Sequence, residues 1–277
     1  MPSGREAVGS PARRVALAHR GEGSGPVVML LHGGGPGCSS RLDFGPCLPH
    51  LPADRRHLLV DLAQYGDSAA APFDDPALDF HVACLVGLLD DLALDQVDVV
   101  AQSLGGSVAL NLAALHPARV GRIVLTGSQP VPSPSNDPGV AGEARARYYG
   151  GSGPSPAKMR ELLASLEWYD AAGVPEATVQ ARFANSVTPW AMAVADGSGR
   201  GRAQDIGDRL PGIQHPTLWL WGAHDPFSSP AYAAAVAATM PRADIAVLAN
   251  TAHHPQEERP YAYGRLVTEF LERKEER

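Results

Sequence analysis

Cysteine is scarce. Cys38, Cys47 and Cys84 are too few and too odd in number for a disulfide framework, and the expected setting is reduced and cytoplasmic. Long apolar runs are also missing. The longest, such as residues 26–31, fall far short of the ~20 residues of a membrane span. Residues 1–10, MPSGREAVGS, lack the apolar centre of a signal peptide. Positive charge is in deficit: 23 Lys and Arg against 30 Asp and Glu give −7. That argues against a nucleic-acid partner, because phosphate binding needs concentrated Lys and Arg. The 29 Gly and 25 Pro follow no collagen-like period, and no internal repeat is visible. No Gly-Lys-Ser/Thr closes a Walker loop, and no His/Cys/Glu set at ligand spacing supports zinc. The expectation is a protein with no cofactor and no metal, acting on a small molecule, with no nucleic-acid or membrane partner. A homo-oligomer is left open.

What is present is rhythm. Of 277 residues, 44% are hydrophobic, enough to bury a sizeable core. Short apolar runs at 27–31, 57–61, 97–101, 122–126, 217–221 and 244–248 read as strands of a parallel sheet covered on both faces. Helical patterns at 79–94, 104–116, 231–240 and 261–273 alternate with them, the βαβ signature of a doubly wound α/β fold. One stretch breaks the alternation. Residues 129–156 are rich in Pro, Gly and Ser and low in large apolar residues, and read as loop. Helical patterns at 155–166 and 175–185 follow, with no strand expected before Thr217. Residues 129–207 are therefore expected to be a helical cap inserted into a core formed by 13–128 and 208–273. The polar ends, 1–13 and 272–277, are expected to fray.

Four motifs carry chemistry. Val99-Val100-Ala101-Gln102-Ser103-Leu104-Gly105-Gly106 runs a strand into a helix through Ser103. Such a nucleophile elbow presents the serine oxygen above the sheet and needs small residues two positions either side, here Ala101 and Gly105. A plain N-capping serine is the alternative. His32-Gly33-Gly34-Gly35-Pro36-Gly37 follows a strand. Its backbone can aim N–H groups into a cavity, and Gly34 with Leu104 would supply the two oxyanion donors of acyl chemistry. His32 is read as support for that loop. Asp225, just past the strand at 217–221, can orient a base or simply make an Asp-Pro turn. After the last strand come His253 and His254, either of which can be the base. Ser103, Asp225 and histidine follow the chain order of α/β-hydrolase triads, each just beyond a strand's C-terminal end. In that arrangement His253 takes the serine proton and Asp225 holds the imidazole.

These residues give the chain a resemblance to the α/β-hydrolases over nearly all of 13–273. His-Gly-Gly-Gly-Pro-Gly at 32–37, Ser103-Leu104-Gly105-Gly106, and the segment Trp168-Tyr169-Asp170…Ala181-Arg182-Phe183-Ala184-Asn185 resemble the hydrolases that cleave carbon–carbon bonds in meta-cleavage products of aromatic rings. The superfamily pattern His-x-Pro-x-x-Glu-x-Pro falls on His253, Pro255, Glu258 and Pro260, which selects His253 over His254. The resemblance implies a 2-hydroxy-6-oxo-2,4-dienoate substrate. It places Gly35, Asp43, Gln102, Arg182 and His254 against substrate, with Arg182 at the dienoate end. Asp43 and Gln102 stand where the family has Asn, and His254 stands where it has Trp. On the residues alone, Arg182 can equally lie on a solvated helix face.

Two other readings stay open. A carboxylic-ester hydrolase or a peptidase of the proline-iminopeptidase kind would use the same triad. A ligand sensor of slow turnover could keep the fold and the triad alike. Arg182 favours the dienoate reading, because an ester without an anionic end needs no buried guanidinium.

Overall fold

The computed structural model describes residues 17–132 and 139–274. The expected frayed tail at 1–13 lies outside the described residues, as do 275–277. Seven strands form one sheet in the order β1-β3-β2-β5-β6-β8-β9. They are β1 (His19–Glu22), β2 (Val27–Leu31), β3 (Arg56–Val60), β5 (Val97–Gln102), β6 (Val120–Thr126), β8 (Thr217–Gly222) and β9 (Ala243–Leu248). Only β1 runs antiparallel, against β3; the other neighbours pair in parallel.

The continuous apolar runs are explained by burial on both faces. Along each strand alternate residues point to opposite sides. Met29, Leu31, Val99, Ala101, Trp219 and Trp221 enter one core with residues of α2 (Ala77–Asp91), α3 (Leu104–Leu115) and α8 (Pro230–Ala237). Val28, Leu30, Val100, Leu218 and Leu220 enter the other, covered by α1 (Ser40–Phe44) and α10 (Pro260–Glu272). On α10 the buried set Tyr263, Val267, Phe270 and Leu271 recurs at helical spacing. Truncating a buried Leu or Phe here to Ala would cost about 2–5 kcal/mol.

Between β6 and β8 the chain departs from the expected loop and from the expected lack of strands. Helix α4 (Gly139–Tyr149) occupies part of the Pro/Gly/Ser-rich stretch; residues 133–138 of that stretch lie outside the described ones. Then come α5 (Pro156–Leu162), a π turn (Leu163–Glu167), α6 (Glu176–Ser186) and α7 (Pro189–Met192). Ser155 caps α5 by accepting from Lys158 N, and Thr188 caps α7 by accepting from Ala191 N. Tyr148, Met159, Leu162, Leu163, Val174 and Val179 form a third apolar cluster within this segment. A short strand, β7 (Arg200–Arg202), then pairs with β4 (Phe73–Pro76). Neither has an apolar run to reveal it. The last helices are α9 (Pro255–Glu258) and α10. No helix among the described residues is long and apolar enough to cross a membrane.

Candidate active site

β5 ends at Gln102 and α3 begins at Leu104, so Ser103 alone makes the turn. Its φ is positive, 49°, with ψ −115°, a sparsely populated conformation that costs a non-glycine residue about 1–3 kcal/mol. The surroundings hold it there. Ser103 N donates to Thr126 O of β6 at 2.7 Å, and Ser103 O accepts from Gly106 N and Ser107 N, which starts the helix at once. A Cβ on Gly105 would stand 2.5 Å from Leu31 O and 2.6 Å from His32 O, so only glycine lets α3 approach β2 this closely. Ser103 makes no side-chain capping bond. The N-cap alternative is thus not realised.

β2 lies beside β5, which sets the glycine loop beside the turn. His32 Nε2 accepts from Leu62 N at 2.9 Å, so its Nδ1 carries the proton and donates to Gly33 O at 2.7 Å. A trans peptide points its N–H opposite its C=O. Fixing Gly33 O therefore fixes the direction of the Gly34 N–H. Gly34 O accepts from Tyr65 Oη at 2.9 Å and from Arg145 at 3.2 Å. Leu104 opens α3, where the first N–H groups have no partner within the helix.

Asp225 and His253 come from adjacent strands, β8 and β9. His253 Nδ1 meets Asp225 Oδ2 at 2.8 Å, and the other Asp225 oxygen accepts from Phe227 N at 2.9 Å. β6 stands between β8 and β5, so the imidazole must reach across it. Gly127, at φ 59° just past β6, makes that room: a Cβ there would lie 2.6 Å from His253 Cε1. Glu258, from the His-x-Pro-x-x-Glu pattern, accepts from Ala252 N at 2.6 Å and Tyr169 N at 2.7 Å. It ties the histidine loop to the segment between β6 and β8.

Ser103 and His253 share a cavity of about 370 Å³. Gly34, Gly35, Gln102, Leu104 and His254 are on its wall. Asp225 sits behind His253. Arg182 and Asp43 are not on the wall. Arg182 is buried, 1% exposed, so it is on no solvated face either. Its Nη1 and Nη2 each donate to Glu167 at 3.0 Å, and its Nε donates to Pro36 O at 2.9 Å. Glu167 stands between Arg182 and the cavity as a wall residue. Asp43 Oδ2 accepts from Gly33 N at 3.0 Å, while its Oδ1 has no partner.

His254 completes this charged group. Nε2 lies 3.2 Å from Glu167 and Nδ1 2.7 Å from Glu257. Burial pulls its pKa down, but the two carboxylates outweigh burial and raise it to about 9. Burial works to raise Glu167, yet Arg182 and His254 hold it below the usual carboxylate range. Glu257 is pushed up by burial. Glu167, Glu257 and Asp43 thus all act on His254 electrostatically. Asp43, His254 and Glu257 bring ligand-type atoms within 4.8 Å of one another, but His254 Nδ1 already meets Glu257 and Nε2 faces Glu167. Sequence reasoning missed Glu167, Glu257, Phe227 and Arg145. Phe227 packs on His253 with ring centroids 4.5 Å apart.

The sheet order, the strained serine turn and the His–Asp pair beyond the strand ends define an α/β protein of hydrolase architecture. The chain belongs to the alpha/beta hydrolase fold family, whose model matches residues 26–260. Among curated relatives, the 2-hydroxy-6-oxononadienedioate/2-hydroxy-6-oxononatrienedioate hydrolase 2 of Pseudomonas putida is 31% identical over 263 residues, 91% of this chain and 89% of that one. The 2-hydroxy-6-oxo-6-phenylhexa-2,4-dienoate hydrolase of Burkholderia cepacia is 28% identical, covering 90% of this chain and 88% of its own length. A solved 2-hydroxy-6-oxo-6-phenylhexa-2,4-dienoate hydrolase from Rhodococcus sp. strain RHA1 superposes with a TM-score of 0.81 at 24% identity, over 95% of this chain and 97% of that one. That last likeness is one of fold.

Proposed function

We propose that this chain hydrolyses a carbon–carbon bond in a 2-hydroxy-6-oxo-2,4-dienoate, a meta-cleavage product of an aromatic ring. Ser103, His253 and Asp225 would be its catalytic group. Ser103, strained over the same cavity that His253 reaches with its Asp225 partner, carries the hydrolase assignment; the relatives' named substrates support the substrate class. In this account the substrate first ketonises, taking a proton at C5. Ser103 Oγ, or a water, then adds to the C6 carbonyl, with His253 accepting the proton and Asp225 holding the imidazolium. The Gly34 and Leu104 N–H groups face the oxyanion. The C5–C6 bond breaks, its electrons pass into the dienolate, and the His253 proton returns to it to give the 2-hydroxydienoate. Where Ser103 has added, a water deprotonated by His253 then cleaves the acyl-serine ester and frees the carboxylic acid; where water has added, the acid leaves directly. His254, with both nitrogens engaged, is poorly placed to act as the base.

Residues 129–207 would act as a cap. Ala141, Ala144, Arg145, Leu162, Leu166, Glu167, Ala203 and Gln204 bring this segment onto the cavity wall. Hydrolysis in H₂¹⁸O tests the reaction: one heavy oxygen should enter the carboxylic acid and none the dienoate. One observation favours an ester hydrolase instead. Glu167 fills the Arg182 fork, so Arg182 no longer argues for an anionic substrate. A neutral p-nitrophenyl ester turned over far faster than any dienoate would support that second reading.

A further inference from the structure

With Arg182 engaged by Glu167, a dienoate's carboxylate needs another cation. Arg145 is the only Arg or Lys on the cavity wall among the described residues. It projects from α4 with Ala141 and Ala144, positions i, i+3 and i+4 that form one helix face. The two alanines leave room in front of the guanidinium. Arg145 Nη2 donates to Gly34 O at 3.2 Å, which ties the side chain to the glycine loop. Its Nη1 is buried with no hydrogen-bond partner. An unpaired buried N–H of a cation is costly, and a bound carboxylate would relieve that cost with a charge-assisted bond. The other acidic and histidine side chains on the wall are Glu167, His253 and His254. Glu167 already accepts from Arg182, and His254 is held between Glu167 and Glu257.

We propose that Arg145 is the specificity-determining residue that receives the carboxylate of an anionic substrate in this cavity, in the place that the family resemblance gives to Arg182. The proposal rests on the dienoate reading for the substrate's name but not for the subsite's chemistry, so both are tested. The first arm is calorimetric binding of benzoate and of benzamide to the wild-type protein, Arg145→Met and Arg145→Lys. The wild type should bind benzoate more tightly than benzamide. Arg145→Met should lose roughly 10- to 100-fold in benzoate affinity, and Arg145→Lys should recover part of it. The second arm is the ratio of kcat/KM for a dienoate to that for a neutral ester, which should fall at least as far in Arg145→Met, mainly through KM. Benzoate affinity that is absent in the wild type, or unchanged in Arg145→Met, overturns the subsite. A benzoate effect without any dienoate turnover leaves the anion site standing and removes the dienoate reading alone.

Discussion

Arg182 and Glu167 form a bidentate ion pair, 3.0 Å at each contact, with side chains only 1% and 4% exposed. The guanidinium sits beside the glycine loop, against Pro36 O, without reaching the cavity wall. Removing one member of such a pair leaves a buried charge behind, which typically costs about 3–5 kcal/mol. Arg182→Met should therefore destabilise the fold by about that amount. Adding Glu167→Gln should return part of the loss. Urea unfolding of the two single variants and the double variant checks this. Strictly additive losses would mean that the pair contributes no coupling.

His254 makes the same group pH-sensitive. Its folded pKa, about 9, lies above the ordinary value of 6.5. Its stabilisation is thus complete below about pH 6.5 and is lost as pH rises through about 9, a contribution on the order of 3 kcal/mol. Glu167, held low, acts in the other direction: its contribution is present above the ordinary carboxylate range and fades in acid. The thermal midpoint should fall between pH 6.5 and 9.5 in the wild type and much less in His254→Gln. Equal slopes for both proteins would contradict the assignment.

Ser103→Ala and His253→Ala should each lower kcat by roughly 10³–10⁶, and the double variant should lose little more, because residues that act as a unit are not additive. His254→Ala should retain more activity than His253→Ala. The reverse order in steady-state kinetics would make His254 the base.

The strain at Ser103 predicts a trade between stability and activity. Ser103→Gly removes the cost of a side-chain-bearing residue at positive φ, whereas Ser103→Ala keeps it. The glycine variant should be the more stable of the two by about 1 kcal/mol in chemical denaturation, although glycine's extra freedom in the unfolded chain offsets part of the gain. Equal stabilities would mean that the strain at a φ of 49° is no larger than glycine's entropic cost in the unfolded chain.

Much of this was legible in the sequence because one physical cause dominated each element. Strands β2, β5 and β8 are buried on both faces and so read as largely apolar runs. Glycine was dictated at Gly105 by backbone contact, and Ser103 and His253, singled out by chain order with Asp225, share one cavity at the strand ends. What failed to show depended on contacts between distant residues. The helix expected at 155–166 ends at Leu162, and a π turn over Leu163–Glu167 follows, from whose end the Glu167 side chain meets Arg182 fifteen positions on. Nothing in the periodicity marks such a turn. β4 and β7 lack apolar runs and pair as a short ribbon. Helix α4 was masked by the Gly and Pro around it; Ala141, Ala144 and Arg145, at one-face spacing, were the available signal.

The central claim is tested most directly by mixing the protein with a 2-hydroxy-6-oxo-2,4-dienoate and following its dienolate absorbance beside that of Ser103→Ala. The account predicts rapid loss of absorbance with stoichiometric release of a carboxylic acid and a 2-hydroxydienoate, slowed in the variant by roughly 10³-fold or more. Absorbance that persists with the wild type, while a neutral ester is cleaved by the same sample, would contradict it.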